Sequence, residues 1–196
     1  MGILSHLALV LTAASAVAAE AATPGSPPQI TSITYSGNGC QRDPKFSGSF
    51  NDPTVTFYNF AASLPGANQT VNCQVHLQAK GASPGWQVAL KSNVIKGHVV
   101  LGPGTTLTHY TTVFFSQDAA KLDTVSGSIS NNGEKTYNEG VTLVAKADAS
   151  KVWSPCTGSD GYTGIMNINF RGSLTGEGKA YFEANTEAWD VEWRRC

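Results

Sequence analysis

Apolar and polar residues alternate along most of this chain. Val71, Cys73, Val75 and Leu77 fall on one face of an extended segment, and Asn72, Gln74, His76 and Gln78 fall on the other. That is the period-2 signature of a half-buried strand. Residues 105–116 repeat it, with Leu107, His109, Thr111, Val113 and Phe115 opposite Thr108, Tyr110, Thr112 and Phe114. Trp86, Val88 and Leu90 alternate with Gln87, Ala89 and Lys91, and Trp189, Val191 and Trp193 alternate with Asp190, Glu192 and Arg194. Further strands are predicted over 30–35, 46–50, 55–60, 94–101 with a break near Gly97, 125–130, 141–147, 165–171 and 181–187. The pair 46–50 and 55–60 reads as a hairpin around Asn51-Asp52-Pro53-Thr54, and 118–122 reads as one helical turn. Ser83-Pro84-Gly85 and Gly102-Pro103-Gly104 are turns, because Gly and Pro punctuate regular structure. Beyond the N-terminal segment no stretch of helical length carries a 3.6-residue period. The pattern predicts an all-β fold: an antiparallel β-sandwich of about nine to eleven short strands, with a barrel as the alternative.

The N-terminus changes the picture of compartment. Residues 3–17 are apolar or small apart from Ser5, His6, Thr12 and Ser15, and Val17-Ala18-Ala19 precedes Glu20 as a small-x-small cleavage site, with Ala19-Glu20-Ala21 as a second option. This reads as a secretory signal peptide over 1–19, although the usual Lys or Arg is missing from its start. Residues 20–29, with Pro24, Pro27 and Pro28, read as a linker, and 30–196 as a single domain. The apolar run is too short for a membrane span, and from the charged end Trp193-Arg194-Arg195-Cys196 no lipid-anchor tail is expected. Charge is balanced, at 13 basic and 14 acidic residues, so nothing points to nucleic acid.

Four cysteines follow the signal: Cys40, Cys73, Cys156 and Cys196. An even number in an exported chain predicts disulfides, with three connectivities open. The expected pairing is Cys40–Cys73 and Cys156–Cys196, one bridge in each half. Asn68-Gln69-Thr70 is the single N-glycosylation sequon, in an expected exposed loop, so Asn68 is the expected glycan site.

Motifs for chemistry are sparse. His76, His98 and His109 lie on separate segments without ligand spacing, so no metal is expected. There is no Gly-x-Ser-x-Gly elbow, and paired cysteines supply no nucleophile. Glu183, Glu187, Asp190 and Glu192 read as solvated strand faces rather than a glycosidase pair. No catalytic residue and no cofactor is assigned. Among the aromatics, Tyr162, Trp189 and Tyr181 are the candidate ligand contacts, since aromatic faces stack on the apolar faces of sugar rings. Trp153 and Trp193, beside cysteines, read as core.

The cysteine contexts together carry a resemblance. Residues 33–40 (Ile33-Thr34-Tyr35-Ser36-Gly37-Asn38-Gly39-Cys40), Asn72-Cys73-Gln74-Val75, Val152-Trp153-Ser154-Pro155-Cys156 and Trp193-Arg194-Arg195-Cys196 occur in that order across nearly the whole mature chain. This resembles domain-of-unknown-function family 4360, small secreted proteins of fungi and some bacteria. The resemblance implies a secreted β-rich domain and carries over no reaction and no catalytic residue. The expectation is therefore a monomeric, secreted, non-catalytic protein of the extracellular space or fungal cell wall, with a polysaccharide or an extracellular protein as its partner. The alternatives are a small extracellular carbohydrate-active hydrolase and a structural wall protein.

Overall fold

The computed structural model describes residue 25 and residues 27–196. The expected signal peptide and most of the expected linker lie outside the described residues. Ten strands follow: β1 (Gln29–Ser36), β2 (Lys45–Gly48), β3 (Pro53–Leu64), β4 (Thr70–Lys80), β5 (Trp86–Leu101), β6 (Thr105–Phe115), β7 (Leu122–Asn131), β8 (Tyr137–Lys146), β9 (Ile165–Thr175) and β10 (Ala180–Arg195). They form two antiparallel five-stranded sheets, the first in the order β1-β4-β9-β6-β7 and the second in the order β2-β3-β10-β5-β8. The predicted sandwich is the observed fold. Among the described residues, no helix is long and apolar enough to cross a membrane.

The alternating apolar residues meet between the sheets. Val75, Leu77, Ile168 and Phe170 face inward from the first sheet, and Val99, Leu101 and Phe182 face inward from the second. At one end of the core, Phe60 packs on Phe57 and on Phe170, both with ring centroids at 5.1 Å, and on Phe182 at 6.2 Å. Tilted and edge-on pairs of this kind add to the area they bury. At the other end Phe50 packs on Trp193 at 5.9 Å.

Several local expectations shift. The segments 86–91 and 94–101 are one sixteen-residue strand, with no break at Gly97. The segments 181–187 and 189–194 likewise form one sixteen-residue strand. The predicted hairpin exists as β2 and β3, but its turn lies earlier, with Gly48 paired to Pro53. The helical turn is a 3-10 turn at Ser116–Asp118, before the predicted position.

Both bridges form as expected, Cys40–Cys73 with Cα atoms 5.4 Å apart and Cys156–Cys196 at 6.0 Å. The first ties the β1–β2 connection to the inward face of β4. The second ties the end of β10 to the β8–β9 connection. They enclose 33 and 40 residues of sequence separation, each worth about 3–4 kcal/mol in the chain-entropy picture. Cys40→Ala/Cys73→Ala should therefore lower the thermal midpoint by roughly 10 °C. A midpoint within a degree or two of the wild type, by calorimetry, would show that the bridge adds nothing.

Candidate functional site

The feature that builds the site is a slip in register. On β10, Ala184 pairs with Phe60 and Thr186 with Thr56, and on its other side Ala184 pairs with Gly97 and Thr186 with Lys96. Asn185 is thus an extra residue in β10, while 57–59 bulge out of β3 opposite it. A bulge exchanges the two faces of a strand. Before the slip Phe182 and Ala184 are buried; after it Glu187 and Trp189 are. In β3 the buried set changes from Val55 and Phe57 to Phe60, Ala62 and Leu64. Gly97 lets the strands close here, because a Cβ there would collide with the Glu183 carbonyl.

The two bulges open a groove of about 250 Å³ on the outer side of the second sheet. Tyr58 and Tyr181 line it, at 46% and 37% exposure, together with Asn59, Glu183 and Asn185. The Tyr181 hydroxyl donates to Glu183 Oε2 at 2.8 Å. Burial, helped by that carboxylate, raises the Tyr181 hydroxyl above its ordinary pKa, so it stays a donor. The Arg42 guanidinium lies 4.2 Å from the Tyr58 ring centroid, a cation–π contact that steadies the ring. His98 pairs across from Glu183, and its Nε2 is 2.7 Å from Asn138 Oδ1, extending the polar row toward β8. The arrangement offers two aromatic faces, a carboxylate and two side-chain amides around one recess.

Of the three candidate aromatics, Tyr181 alone is in this groove. Tyr162 is half-buried in the β8–β9 connection, where its hydroxyl accepts from Gln117 Nε2 at 3.3 Å. Trp189 is 2% exposed: the slip at Asn185 turns it into the core, away from any surface ligand. Glu187, expected on a solvated face, is fully buried for the same reason. Trp193 is core as expected, while Trp153 is partly exposed beneath the Arg194 guanidinium, 3.9 Å from its ring centroid. Asn68 is exposed in the β3–β4 loop. Tyr58 was missed, though the change of apolar phase between Phe57 and Phe60 marks it. Among the described residues no group of three or more His, Cys, Asp or Glu is placed to hold a metal ion.

Fold and groove together define a disulfide-stapled β-sandwich protein with a polar, tyrosine-lined recess on one outer face. Residues 26–196 match the family described as Domain of unknown function (DUF4360), and the chain belongs to that family. No curated protein matches it. Among solved structures it is similar to TmCBM61 in complex with beta-1,4-galactotriose, at 10% identity and TM-score 0.27, over 86% of this chain and 91% of that one. It is also similar to the enzymatically active domain of bacteriophage CBA120 tailspike protein 4, at 13% identity and TM-score 0.22, over 85% of this chain and 20% of that one. A third structure, described by the promiscuous specificity of carbohydrate-binding modules from the β-sandwich superfamily, is 11% identical with TM-score 0.26, over 83% of this chain and 57% of that one.

Further along β10 lies a buried acid. Asn93 Nδ2 donates to Glu187 Oε1 at 2.9 Å and to Thr111 Oγ1 at 3.1 Å, so one amide joins a strand of each sheet. Burial pushes the Glu187 carboxyl up to about 8, against the opposing pull of the Asn93 bond. The folded chain therefore holds a proton that the unfolded chain, near the ordinary 4.5, has released. The sign follows: stability is greatest below about pH 4.5, as far as this group is concerned, and falls as pH rises toward about 8. Glu187→Gln keeps an acceptor for Asn93 and removes the titration. Its urea midpoint should stay level between acidic and mildly alkaline pH while the wild-type midpoint declines; parallel curves would exclude Glu187 as the cause.

Proposed function

We propose that the protein is exported and binds a neutral polysaccharide, without cleaving it, in the groove between β3 and β10. The observation that carries this is the recess itself, opened by facing bulges between two exposed tyrosines. Tyrosine rings offer flat apolar faces to the C–H faces of sugar rings, and their hydroxyls add polar contacts. Glu183 accepts hydrogen bonds from sugar hydroxyls, and the Asn59 and Asn185 amides both donate and accept. A negative carboxylate in the recess selects against acidic polymers. Glu183 is also the one acid among the lining residues, whereas hydrolysis of a glycosidic bond ordinarily needs two.

Two disulfides fit an oxidising, extracellular setting. Removal of residues 1–19 as a leader completes the reading, and N-terminal sequencing of the exported protein should find a start at Glu20; a start at Met1 would exclude it. Asn68, exposed on its loop, would carry a glycan in a glycosylating host.

Titration calorimetry with soluble chitin, β-glucan, galactan and mannan oligosaccharides tests the groove. At least one should bind. Tyr58→Ala and Tyr181→Ala should each weaken it roughly fivefold, the value of an aromatic contact of about 1 kcal/mol. Tyr162→Phe, outside the groove, should bind as the wild type does. No heat with any of the four, or unchanged affinity in both alanine variants, would overturn the reading.

A further inference from the structure

We propose that the outer face of the first sheet is a second binding surface, which docks on packed chains of an insoluble, neutral polysaccharide. β4, β9, β6 and β7 pair without any register shift. Their outward side chains therefore form rows, roughly 4.8 Å apart across the strands and 6.7 Å apart along them. One row runs Thr70, Ser173, Thr108, Ser128. A parallel row runs Gln74, Asn169, Thr112, Thr124.

The polar atoms of this face are held in place by one another. The Thr70 and Ser173 hydroxyls are 2.8 Å apart, as are those of Thr112 and Thr124, and Thr106 Oγ1 donates to Ser130 Oγ at 2.9 Å. His76 links Ser36 and Asn167 through its two ring nitrogens, at 2.9 and 2.6 Å, and the Asn167 amide donates to Ser116 at 2.8 Å. A surface already ordered loses little further freedom on binding.

The face is also nearly free of charge. Over the outward positions of β4 from 70 to 78 and those of β9, β6 and β7, Arg171 is the one Lys, Arg, Asp or Glu. Its guanidinium sits 4.2 Å from the Tyr110 ring centroid. Solvated sheet faces usually carry mixed charges that keep proteins apart. A face without them offers little to a phosphate-bearing polymer or an anionic lipid surface. It offers rows of donors and acceptors to a polymer that itself carries hydroxyls or acetamides. Where the second sheet is recessed by bulges to hold one chain, these four strands are regular, which suits a layer of parallel chains. This surface rests on its own residues and not on the groove.

Co-sedimentation of the exported protein with microcrystalline cellulose, crystalline chitin and insoluble β-glucan tests the proposal. The protein should sediment with at least one of them, and salt should leave the affinity unchanged, because no ion pairs are screened. Thr124→Glu/Ser128→Glu, at exposed positions of β7, should weaken sedimentation tenfold or more, since a carboxylate would lose water against neutral hydroxyls. Tyr162→Phe, on neither surface, should sediment as the wild type does, and Tyr58→Ala/Tyr181→Ala, which removes the groove's contribution, should still sediment. A thermal midpoint shows whether the glutamate pair is folded; if it is not, Ser126→Glu alone takes its place with the same expectation. Failure with all three solids, or a folded glutamate variant that sediments normally, overturns the proposal. So does loss of sedimentation in the tyrosine pair alone, which would assign the solid to the groove. Oligosaccharide binding lost with sedimentation intact would remove the groove reading and leave this one standing.

Discussion

A strand sends successive side chains to opposite faces, and a single inserted residue reverses the assignment for everything beyond it. β10 is where that constraint governs this molecule. It runs the length of the second sheet, bonded to β3 on one side and β5 on the other, so its register cannot slip without both neighbours answering. They answer differently. β3 bulges by three residues, while β5 stays continuous and uses Gly97, whose missing side chain makes room for the Glu183 carbonyl. From this one adjustment come the outward Tyr181 and Glu183, the recess beside Tyr58, and the inward Glu187 and Trp189.

The same adjustment explains which parts of the chain were legible beforehand. Clean alternation, as in Val71–Leu77 and Leu107–Phe115, is a local property and reads directly as strand and face. The cysteine pairing was likewise accessible, because each bridge joins residues within one half of the chain. Faces beyond a bulge are not local, since they depend on how neighbouring strands register. Treating 181–187 and 189–194 as separate strands restarted the alternation between them and left Glu187 grouped with Glu183. The signal was nonetheless present: Phe182 and Ala184 are even-numbered, Trp189, Val191 and Trp193 are odd. A strand that buries both sets must change phase, and the residues between them are where a bulge and its partners belong. The corresponding change between Phe57 and Phe60 would have pointed to Tyr58.

The sandwich divides its two outer faces between opposite kinds of surface. The second sheet is interrupted, and the interruption concentrates two tyrosines, two amides and one carboxylate in a small volume. The first sheet, from β4 to β7, is uninterrupted and spreads hydroxyls and amides over a wide one. Low charge overall, 14% of residues, is therefore not evenly distributed: it is most pronounced where the strands are most regular. Regular, uncharged sheet faces invite association, so their retention here needs a reason beyond folding, and a neutral polymer as the proposed partner supplies one.

Polarity inside the sandwich carries a cost that the bridges help to offset. The Asn93 amide satisfies one oxygen of Glu187 and the Thr111 hydroxyl, yet Glu187 Oε2, Asn93 Oδ1 and Trp189 Nε1 are buried without a protein partner. Such groups cost on the order of 1–3 kcal/mol each unless solvent reaches them. Two cross-links of about 3–4 kcal/mol each are of comparable size. The bridges sit at different places, one holding the β1–β2 connection against β4 of the first sheet and one holding the end of β10 against the β8–β9 connection. The register of β10 is held by its pairing with β3 on one side and β5 on the other, and the second bridge anchors its end. The register that buries Glu187 is therefore also the register that exposes the groove.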